Sequence, residues 1–360
     1  MNTVGIIGAG QLGQMLGFAA EKLGLKCIFI DPSENPPAAA AGRVIAAGFD
    51  DTIALAELAR QCDVITYEFE NVPVAAVRAI ESDCPVLPPP MALERAQDRL
   101  AEKQLFEALQ IPIPSYRIVN VVEDLQDAVD TLGLPLVIKT RRFGYDGKGQ
   151  AILRDPESAK AVFESLGGRD LIAEQFVEFD CEVSAIGARS AGGEVVNYAL
   201  SENEHRDVIL RLSRAPAGDD SLADLANDYV GRLLKELHYV GVLALELFVI
   251  GGRLWANEFA PRVHNSGHWT IEGANASQFE NHLRAVTGMP LADTAVIGFP
   301  GMLNIVGAMP ENLTKFDAAR AIVHDYGKAP RPGRKLGHAT LIGDNIEDRD
   351  VRLQQLQNVL

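Results

Sequence analysis

The chain has 360 residues, 47% of them hydrophobic and 23% charged, which at about 100–200 residues per domain predicts two or three folded domains and excludes a small isolated module. Asp and Glu number 49 against 33 Lys and Arg, so the formal net charge is −16. Because this surplus repels phosphate backbones and anionic lipid, we expect no nucleic acid and no membrane among the partners.

Strands and helices alternate in the first part of the chain. Apolar runs predict strands at residues 4–7, 27–31 and 63–69, and helical spacing of apolar residues predicts helices at 11–23 and 52–61. This alternation is typical of a doubly wound parallel sheet, a Rossmann-like α/β arrangement. The three prolines at 88–90 mark a domain border, because proline continues neither a helix nor a central strand.

A glycine turn, GAGQLG (8–13), connects the first strand to the first helix, and Asp31 ends the second strand. In dinucleotide enzymes such a turn binds phosphate and the acidic residue binds a ribose. Physically the turn offers an anion site, because the first amides of a helix lack hydrogen-bond partners. A nicotinamide dinucleotide, a phosphorylated substrate and a turn that serves packing alone all remain open, and we favour the phosphorylated substrate.

A second unit begins with a helix-forming run at 92–110, followed by predicted strands at 116–119 and 136–140 with a helix near 123–132 between them. Lys139 lies at the end of the second of these strands, and FGYDGKGQ (143–150) follows. Glycine amides can surround phosphate oxygens, and Lys139 and Lys148 supply positive charge, although the spacing of a Walker loop is absent. The segment predicts a triphosphate site, with a solvated basic hairpin as the alternative.

Two carboxylates lie on a predicted hairpin at 242–259. Glu246 is on an apolar strand, and Glu258 follows Asn257 on the next one. Acidic groups among apolar neighbours are costly unless they are paired or bind a cation, so these residues predict Mg²⁺ held against nucleotide phosphates. A surface acid on each strand is the alternative.

A shared Mg²⁺ requires Glu246 and Glu258 to lie on the same face of the hairpin. A two-residue turn at 251–252 places Glu246 opposite Asn257, so that Glu258 faces the other side of the sheet. A three-residue loop or a bulge would return both carboxylates to one face. We therefore predict an odd loop or a bulge in this hairpin.

Polar residues without a strand pattern follow the hairpin, namely Arg262, His264, Asn265 and His268. Four polar groups so close together predict a loop that lines a site. For His264, a position in the core is the alternative.

The four cysteines show no CxxC spacing, no cationic segment precedes the amino-terminal apolar run, and no uninterrupted apolar stretch reaches about 18 residues. The sequence therefore favours reduced thiols in a cytoplasmic protein, without a zinc site, an export signal or a membrane span.

Several motifs together resemble the N5-carboxyaminoimidazole ribonucleotide synthetases, an ATP-grasp family of purine biosynthesis. The motifs are Lys139, GYDGKGQ (144–150), EQFV (174–177), ALELF (244–248), NEFAPRVHNSGHWT (257–270) and RPGRKLGH (331–338). Their order and spacing extend the resemblance over essentially the whole chain. The family usually has GGYDG where this chain has Phe143 before GYDG.

The resemblance implies a Rossmann-like domain followed by an ATP-grasp fold with a small lid, in a mixture of α/β and α+β classes. The expected divisions are an amino-terminal domain at 1–95, a linker helix and small lid domain at 96–173, a central domain with the metal hairpin at 174–300, and a carboxy-terminal segment that completes the substrate site at 301–360.

The resemblance also implies an ATP-dependent ligase that forms a carbon–nitrogen bond. Its reaction would be the carboxylation of 5-aminoimidazole ribonucleotide at N5 with bicarbonate, through carboxyphosphate, giving ADP and phosphate. ATP, Mg²⁺, bicarbonate and the ribonucleotide would be its ligands, and a cytoplasmic homodimer its form.

Individual residues receive roles from the same resemblance. Those implied for ATP are Arg99, Lys139, Gly144, Tyr145, Asp146, Gly147, Lys148, Gly149, Gln150, Glu174, Gln175, Phe176, Val177, Glu182, His205, Asn257 and Glu258. Those implied for the ribonucleotide are Gly10, Gln11, Leu12, Tyr145, Asp146, Arg262, His264, Asn265, Arg331, Arg334 and Lys335. Glu246 and Glu258 would hold Mg²⁺, while Arg262, His264, Asn265 and Lys139 would be catalytic.

Three other functions stay open. Another ATP-grasp ligase or carboxylase would share the lysine and the carboxylates but use a different acceptor. A dinucleotide oxidoreductase leaves the acidic strands and the basic glycine loop without explanation, because they lie far from the glycine turn. A non-catalytic nucleotide-binding regulator is disfavoured because the candidate metal and phosphate groups are all present.

Overall fold

The computed structural model describes residues 2–144, 149–217 and 220–359. Its amino-terminal part is a four-stranded parallel sheet in the order β3-β2-β1-β4. The strands are β1 (Thr3–Ile7), β2 (Lys26–Asp31), β3 (Arg43–Ala46) and β4 (Val64–Tyr67), and the helices between and after them are α1 (Gln11–Lys22), α2 (Thr52–Gln61) and α3 (Val74–Ile80).

Side chains alternate between the two faces of this sheet, and each face has its own helices. Val4 and Ile6 pack with α1, whereas Ile7 packs with α2 and α3. This arrangement follows because successive side chains of a strand point to opposite faces of the sheet. The predicted doubly wound parallel sheet is therefore confirmed.

The helix-forming run at 92–110 is two helices, α4 (Pro90–Ala96) and α5 (Arg99–Ala108), where the sequence predicted one. Asp98 interrupts it in an extended conformation, and its Oδ1 accepts the amide of Leu100 at 2.9 Å. The side chain thereby satisfies an amide that has no partner inside the helix, which makes Asp98 the start of a new helix. The two guanidinium nitrogens of Arg141 that bond to Asp98 hold this break in place.

A small four-stranded antiparallel sheet follows, in the order β5-β8-β6-β7. Its elements are β5 (Tyr116–Val119), α6 (Val122–Leu132), β6 (Leu136–Thr140), β7 (Gln150–Leu153), α7 (Ala159–Ser165) and β8 (Leu171–Gln175). Leu136 and Ile138 of β6 pack with the helices in one apolar cluster. Because neighbours alternate, Lys139 lies on the opposite face of the sheet.

The remaining strands form one nine-stranded sheet in the order β14-β13-β9-β11-β12-β15-β17-β16, with β10 beside β9. Its elements are β9 (Cys181–Arg189), β10 (Val195–Asn197), β11 (Ser201–Arg206), β12 (Ile209–Arg214), α8 (Asp220–Glu236), β13 (Gly241–Ile250), β14 (Arg253–Ala260), α9 (Thr270–Gly273), α10 (Gln278–Thr287), β15 (Phe299–Val306), α11 (Thr314–Ala318), β16 (Ile322–Asp325), β17 (Lys335–Gly343) and α12 (Ile346–Gln357).

Helix α10 packs against both the amino-terminal domain and the large sheet. Phe279 and Leu283 of α10 belong to the same buried cluster as Leu16 of α1 and Val242 of β13. This packing brings the glycine turn that precedes α1 towards the carboxy-terminal strands of the large sheet. Across residues 2–144, 149–217 and 220–359, no helix combines the length and the hydropathy needed to cross a bilayer.

Candidate active site

The hairpin of β13 and β14 contains a bulge that places Glu246 and Glu258 on the same face. Ile250 pairs with Arg253, so the turn has two residues, both glycines with positive φ, as such a tight turn requires. Glu246 nevertheless pairs with Glu258, because Leu247 pairs with Ala256 and Asn257 is an extra residue in β14. The prediction of an odd loop or a bulge is confirmed, and both carboxylates lie on one face.

The electrostatics of these two carboxylates differ. Burial and the neighbouring charge of Glu258 raise the pKa of Glu246 above its ordinary value. Burial acts in the same direction at Glu258, but the nearby cations outweigh it and its pKa is lowered. The nearest cation is Arg99, whose Nη1 lies 3.1 Å from Oε2 of Glu258. Glu258 is therefore ionised at neutral pH, and Glu246 lacks a comparable positive partner.

His264 contacts the carboxylate pair from the following loop. Its Nε2 lies 3.0 Å from Oε1 of Glu246, and its Nδ1 accepts the amide of Ser266 at 3.3 Å. Burial, followed by the charges of Arg262 and Lys335, lowers the pKa of His264 well below the ordinary value. With Nδ1 an acceptor in a neutral ring, the proton is on Nε2 and His264 donates it to Glu246.

Lys139 faces the same region from β6. Its Nζ lies 2.9 Å from Oε2 of Glu174 on β8, and Lys103 of α5 lies 3.5 Å from the same oxygen. Burial would raise the pKa of Glu174, but Lys103 and Lys139 lower it to about 2. Oε2 of Glu174 thus binds both lysines, whereas Oε1 is buried without a hydrogen-bond partner among the described residues.

The other residues assigned to ATP lie around this cluster. Glu182 on β9 and His205 on β11 form an ion pair, and this pairing raises the pKa of His205 although burial opposes it. Gln175 ends β8, and residues 176–177 follow it. The amide of Phe176 donates to the carbonyl of Pro135, and the Phe176 ring lies 5.8 Å from the Arg154 guanidinium.

The glycine loop is partly described. Gly144 ends the described segment, Gly149 has a φ of +71° and Gln150 pairs with Lys139. Tyr145, Asp146, Gly147 and Lys148 lie outside the described residues. Phe143 has a φ of +63°, which is a conformation that glycine adopts more easily than a residue with a bulky side chain.

Arg262 and Asn265 are already engaged by neighbouring side chains. Nε of Arg262 donates to Oε2 of Glu70 at 2.9 Å, and Nη1 donates to the carbonyl of Val263 at 3.0 Å. Asn265 and Asn304 exchange two side-chain hydrogen bonds, of 3.1 and 2.7 Å. These contacts hold the loop after β14 against the amino-terminal domain and against β15.

His268 does not line the site, contrary to our prediction. Its side chain is fully buried, with its ring 5.6 Å from that of Phe279 and 4.8 Å from that of His338. Burial lowers its pKa well below the ordinary value. One of the four polar residues of this loop, His268, is therefore part of the core.

The amides of the glycine turn bind carboxylates of the protein itself. Gly10 donates to Oε1 of Glu68 at 2.7 Å, Gly13 donates to Oε2 at 3.3 Å, and Ala9 donates to Oδ2 of Asp31 at 2.9 Å. The other oxygen of Asp31 accepts the amide of Ser33. Asp31 is buried and each of its oxygens accepts a backbone amide, so its carboxylate stabilises the turn itself, which disfavours the dinucleotide interpretation.

Cations gather beside the glycine turn. Lys328 donates to the Gln11 side chain, and burial together with the charges of Arg334 and Lys335 lowers the pKa of Lys328 to about 8. Arg331 lies farther out on an exposed segment, and Leu12 is buried in the core, so its side chain packs internally.

A second set of metal-type ligands consists of Glu272, His324 and His338, whose ligand atoms lie within 4.8 Å of one another. The rings of His324 and His338 stack with centroids 4.4 Å apart and planes inclined by 9°. The lone pairs of an imidazole lie in the ring plane, so two nearly parallel rings do not direct them at one ion. In this arrangement the partly buried His324 bonds Glu272 and stacks on the buried His338, which bonds the Tyr326 hydroxyl.

Sequence reasoning missed five charged residues at the site: Glu68, Glu70, Glu102, Lys103 and Lys328. Glu68 and Glu70 directly follow β4, and the carboxyl ends of parallel strands are where such sheets bind ligands. Glu102 and Lys103 are three and four residues after Arg99, so the helical period already placed them on one face with it. The sequence signal for Lys328 was its position close to the basic motif at 331–335.

Comparisons with known proteins identify the family of the chain. Three family models match in order: the ribonucleotide synthetase preATP-grasp domain at residues 1–97, the ATP-grasp domain at 104–279 and the phosphoribosylaminoimidazole carboxylase C-terminal domain at 301–352. The N5-carboxyaminoimidazole ribonucleotide synthase of Pseudomonas aeruginosa is 49% identical over 338 residues, which cover 94% of each chain.

Solved structures are similar over the same extent. The N5-carboxyaminoimidazole ribonucleotide synthetase of Thermus thermophilus superposes with a TM-score of 0.95 at 48% identity, covering 99% of this chain and 98% of that one. The Aspergillus clavatus synthase in complex with ADP and 5-aminoimidazole ribonucleotide gives a TM-score of 0.91 at 30% identity, covering 99% and 98%. From these matches and the site geometry, the chain belongs to the N5-carboxyaminoimidazole ribonucleotide synthase family of ATP-grasp enzymes.

Proposed function

We propose that this chain carboxylates N5 of 5-aminoimidazole ribonucleotide with bicarbonate, at the cost of ATP hydrolysed to ADP and phosphate. The observation that carries the proposal is the bulge at Asn257, because it sets Glu246 and Glu258 side by side on the face that Arg99 and Lys139 also approach. Cations for a triphosphate and oxygen ligands for its metal thus meet at one point.

Glu246 and Glu258 fit Mg²⁺. Two adjacent carboxylates supply the hard oxygen ligands that the ion prefers. Burial and the charge of Glu258 raise the pKa of Glu246, and a cation between the two carboxylates would oppose both effects. When bound, the ion would neutralise charge on the transferred phosphoryl group. Arg99 and Lys139 would hold the phosphate oxygens on the other side, with residues 175–177 for the adenine and Glu182 for the ribose.

The chemistry needs an activated bicarbonate, because bicarbonate is a poor electrophile. Transfer of the γ-phosphoryl group to a bicarbonate oxygen gives ADP and carboxyphosphate, and attack of the amine on the carboxyl carbon then expels phosphate. Arg262 would attract the anion, since Nη2 bonds Glu70 and Nη1 bonds the carbonyl of Val263 with one hydrogen each, and each nitrogen has a second hydrogen. His264 and Asn265 would complete this subsite.

The ribonucleotide phosphate would bind the cations beside the glycine turn. Lys328, Arg334 and Lys335 supply the positive charge that an acidic protein otherwise lacks, and Gln11 links them to α1. Glu68 already accepts the amides of Gly10 and Gly13. In this proposal the turn holds Glu68 towards the substrate, and the cations rather than the amides bind the phosphate.

The test is ADP release by the purified protein with and without bicarbonate and ribonucleotide. We expect rapid release only when both are present, and we expect Glu246→Gln to abolish it while Glu164→Gln, on an exposed helix of the small domain, leaves it unchanged. Release that needs the ribonucleotide but not bicarbonate would indicate another ligase. Release that needs bicarbonate but responds to a different amine would indicate another carboxylase.

Three finer points belong to the same proposal. The enzyme acts as a homodimer, which light scattering on the purified protein tests, and it acts in the cytoplasm, which fractionation of cells tests. The proposed divisions are 1–95, 96–173, 174–300 and 301–360. The separate amino-terminal, small and large sheets support them, although β8 (Leu171–Gln175) crosses the boundary at 173 and β15 (Phe299–Val306) crosses the boundary at 300. The three family-model matches support a similar division.

A further inference from the structure

Strand β14 lies at the edge of the large sheet, so one side of its backbone has no neighbouring strand. Residues within α5 and after it bind that side. The amide of Ala256 donates to the carbonyl of Pro112 at 2.7 Å, Nζ of Lys103 donates to the carbonyl of Asn257 at 3.0 Å, and the amide of Phe259 donates to Oε1 of Glu102 at 2.7 Å. These bonds flank the bulged residue on both sides.

The contacts come from one face of α5. Arg99, Glu102 and Lys103 are spaced i, i+3 and i+4, and they bind three consecutive residues of β14: the side chain of Glu258, the amide of Phe259 and the carbonyl of Asn257. Glu102 is 2% exposed and Lys103 is fully buried. Charged groups are seldom buried so deeply unless each has a specific partner.

A bulge is a local departure from regular pairing that leaves backbone groups without ladder partners. Unpaired backbone groups are costly when buried, so a bulge persists where other groups satisfy them. Without the bulge, the two-residue turn would pair Glu246 with Asn257 and turn Glu258 to the other face. Whatever stabilises the bulge therefore decides whether the two carboxylates can share an ion.

We propose that Glu102 and Lys103 are positioning residues for the metal: they fix the bulge at Asn257 and thereby hold Glu246 and Glu258 on one face. Lys103 also lies 3.5 Å from Glu174, the partner of Lys139, so it couples the bulge to the phosphate-binding lysine. Both residues act on the backbone of β14, through the carbonyl of Asn257 and the amide of Phe259. This inference rests on the proposed metal role of the carboxylate pair.

The experiment measures ADP binding by calorimetry, at increasing Mg²⁺ and also in EDTA, for Lys103→Met and for two variants of Glu102. Outer-shell partners of a metal site typically contribute about 10–100-fold to its affinity, so we expect Lys103→Met and Glu102→Leu to raise the half-saturating Mg²⁺ at least about tenfold. Glu102→Gln keeps an oxygen for the Phe259 amide and should stay near wild type. Lys160→Met, an exposed lysine on α7, is the matched control.

Hydrogen exchange supplies a readout that does not depend on metal. Amides of residues 256–259 should exchange faster in Lys103→Met and Glu102→Leu than in wild type, with the rest of β13 little changed. Folded variants with wild-type exchange there and an unchanged Mg²⁺ requirement would overturn the proposal. A loss of ADP affinity in EDTA with an unchanged Mg²⁺ requirement would do the same, because Lys103 would then be a phosphate contact.

The two Glu102 variants decide the question if Lys103→Met does not fold. Glu102→Leu indistinguishable from Glu102→Gln in exchange and in Mg²⁺ requirement would overturn the inference. Failure of the proposed function is a separate result: wild-type protein would bind ADP with Mg²⁺ but show no bicarbonate-dependent ADP release with the ribonucleotide.

Discussion

Replacing Lys139 with methionine separates its structural role from its catalytic one. Removing one partner of a buried ion pair costs about 3–5 kcal/mol when the other charge is left alone. Glu174 keeps Lys103 at 3.5 Å, so we expect a smaller loss, about 1–3 kcal/mol, in the free energy of unfolding. If Lys139 binds the transferred phosphoryl group, the loss of its charge should lower kcat/KM by about 10²-fold or more, equivalent to about 2.7 kcal/mol.

The double variant Lys139→Met with Glu174→Gln is the control. Neutralising Glu174 removes the unpaired charge, so stability in urea should return towards wild type, while ADP release should stay as slow as in the single variant. Near-wild-type ADP release by Lys139→Met would refute the phosphate role. Recovery of turnover in the double variant would show that Lys139 acts by compensating Glu174 rather than by binding phosphate.

Three further predictions follow from the geometry. Lys328→Ala should raise KM for the ribonucleotide about tenfold or more and leave KM for ATP nearly unchanged, since the proposed charge-assisted hydrogen bond to the ribonucleotide phosphate would be lost; the opposite pattern in steady-state kinetics would place this lysine at the nucleotide. Gly8→Ala puts a Cβ 2.7 Å from Cγ of Glu68, so urea unfolding should show a loss of about 1–3 kcal/mol, larger than for Gly24→Ala, which has positive φ but open space; equal losses would contradict the clash. The lysines lower the pKa of Glu174 to about 2 from 4.5, so its stabilisation is complete above the ordinary value and disappears as the pH falls towards 2; a difference between wild type and Glu174→Gln that stays constant from about pH 5 to pH 2 would contradict this.

Local patterns along the chain were sufficient for much of the fold. Residues 4–7 and 27–31 are apolar runs whose two faces are both covered, and the alternation with helices left a parallel sheet as the consistent arrangement. The hairpin register was accessible for the same reason: a period of two and a glycine turn predict which carboxylate faces where, so the need for one extra residue could be deduced before its position was known.

The sequence by itself therefore determined the order of elements, the residue types at the site and the need for one extra residue in the hairpin, because these depend on neighbours in the chain. Only the tertiary structure decided that the extra residue is Asn257, that Glu68 and Asp31 take the amides of the glycine turn, that Arg262 binds Glu70, and that His268 lies in the core. These partners are far apart in sequence, and which buried group satisfies which hydrogen bond is settled by packing between domains, which no local period encodes.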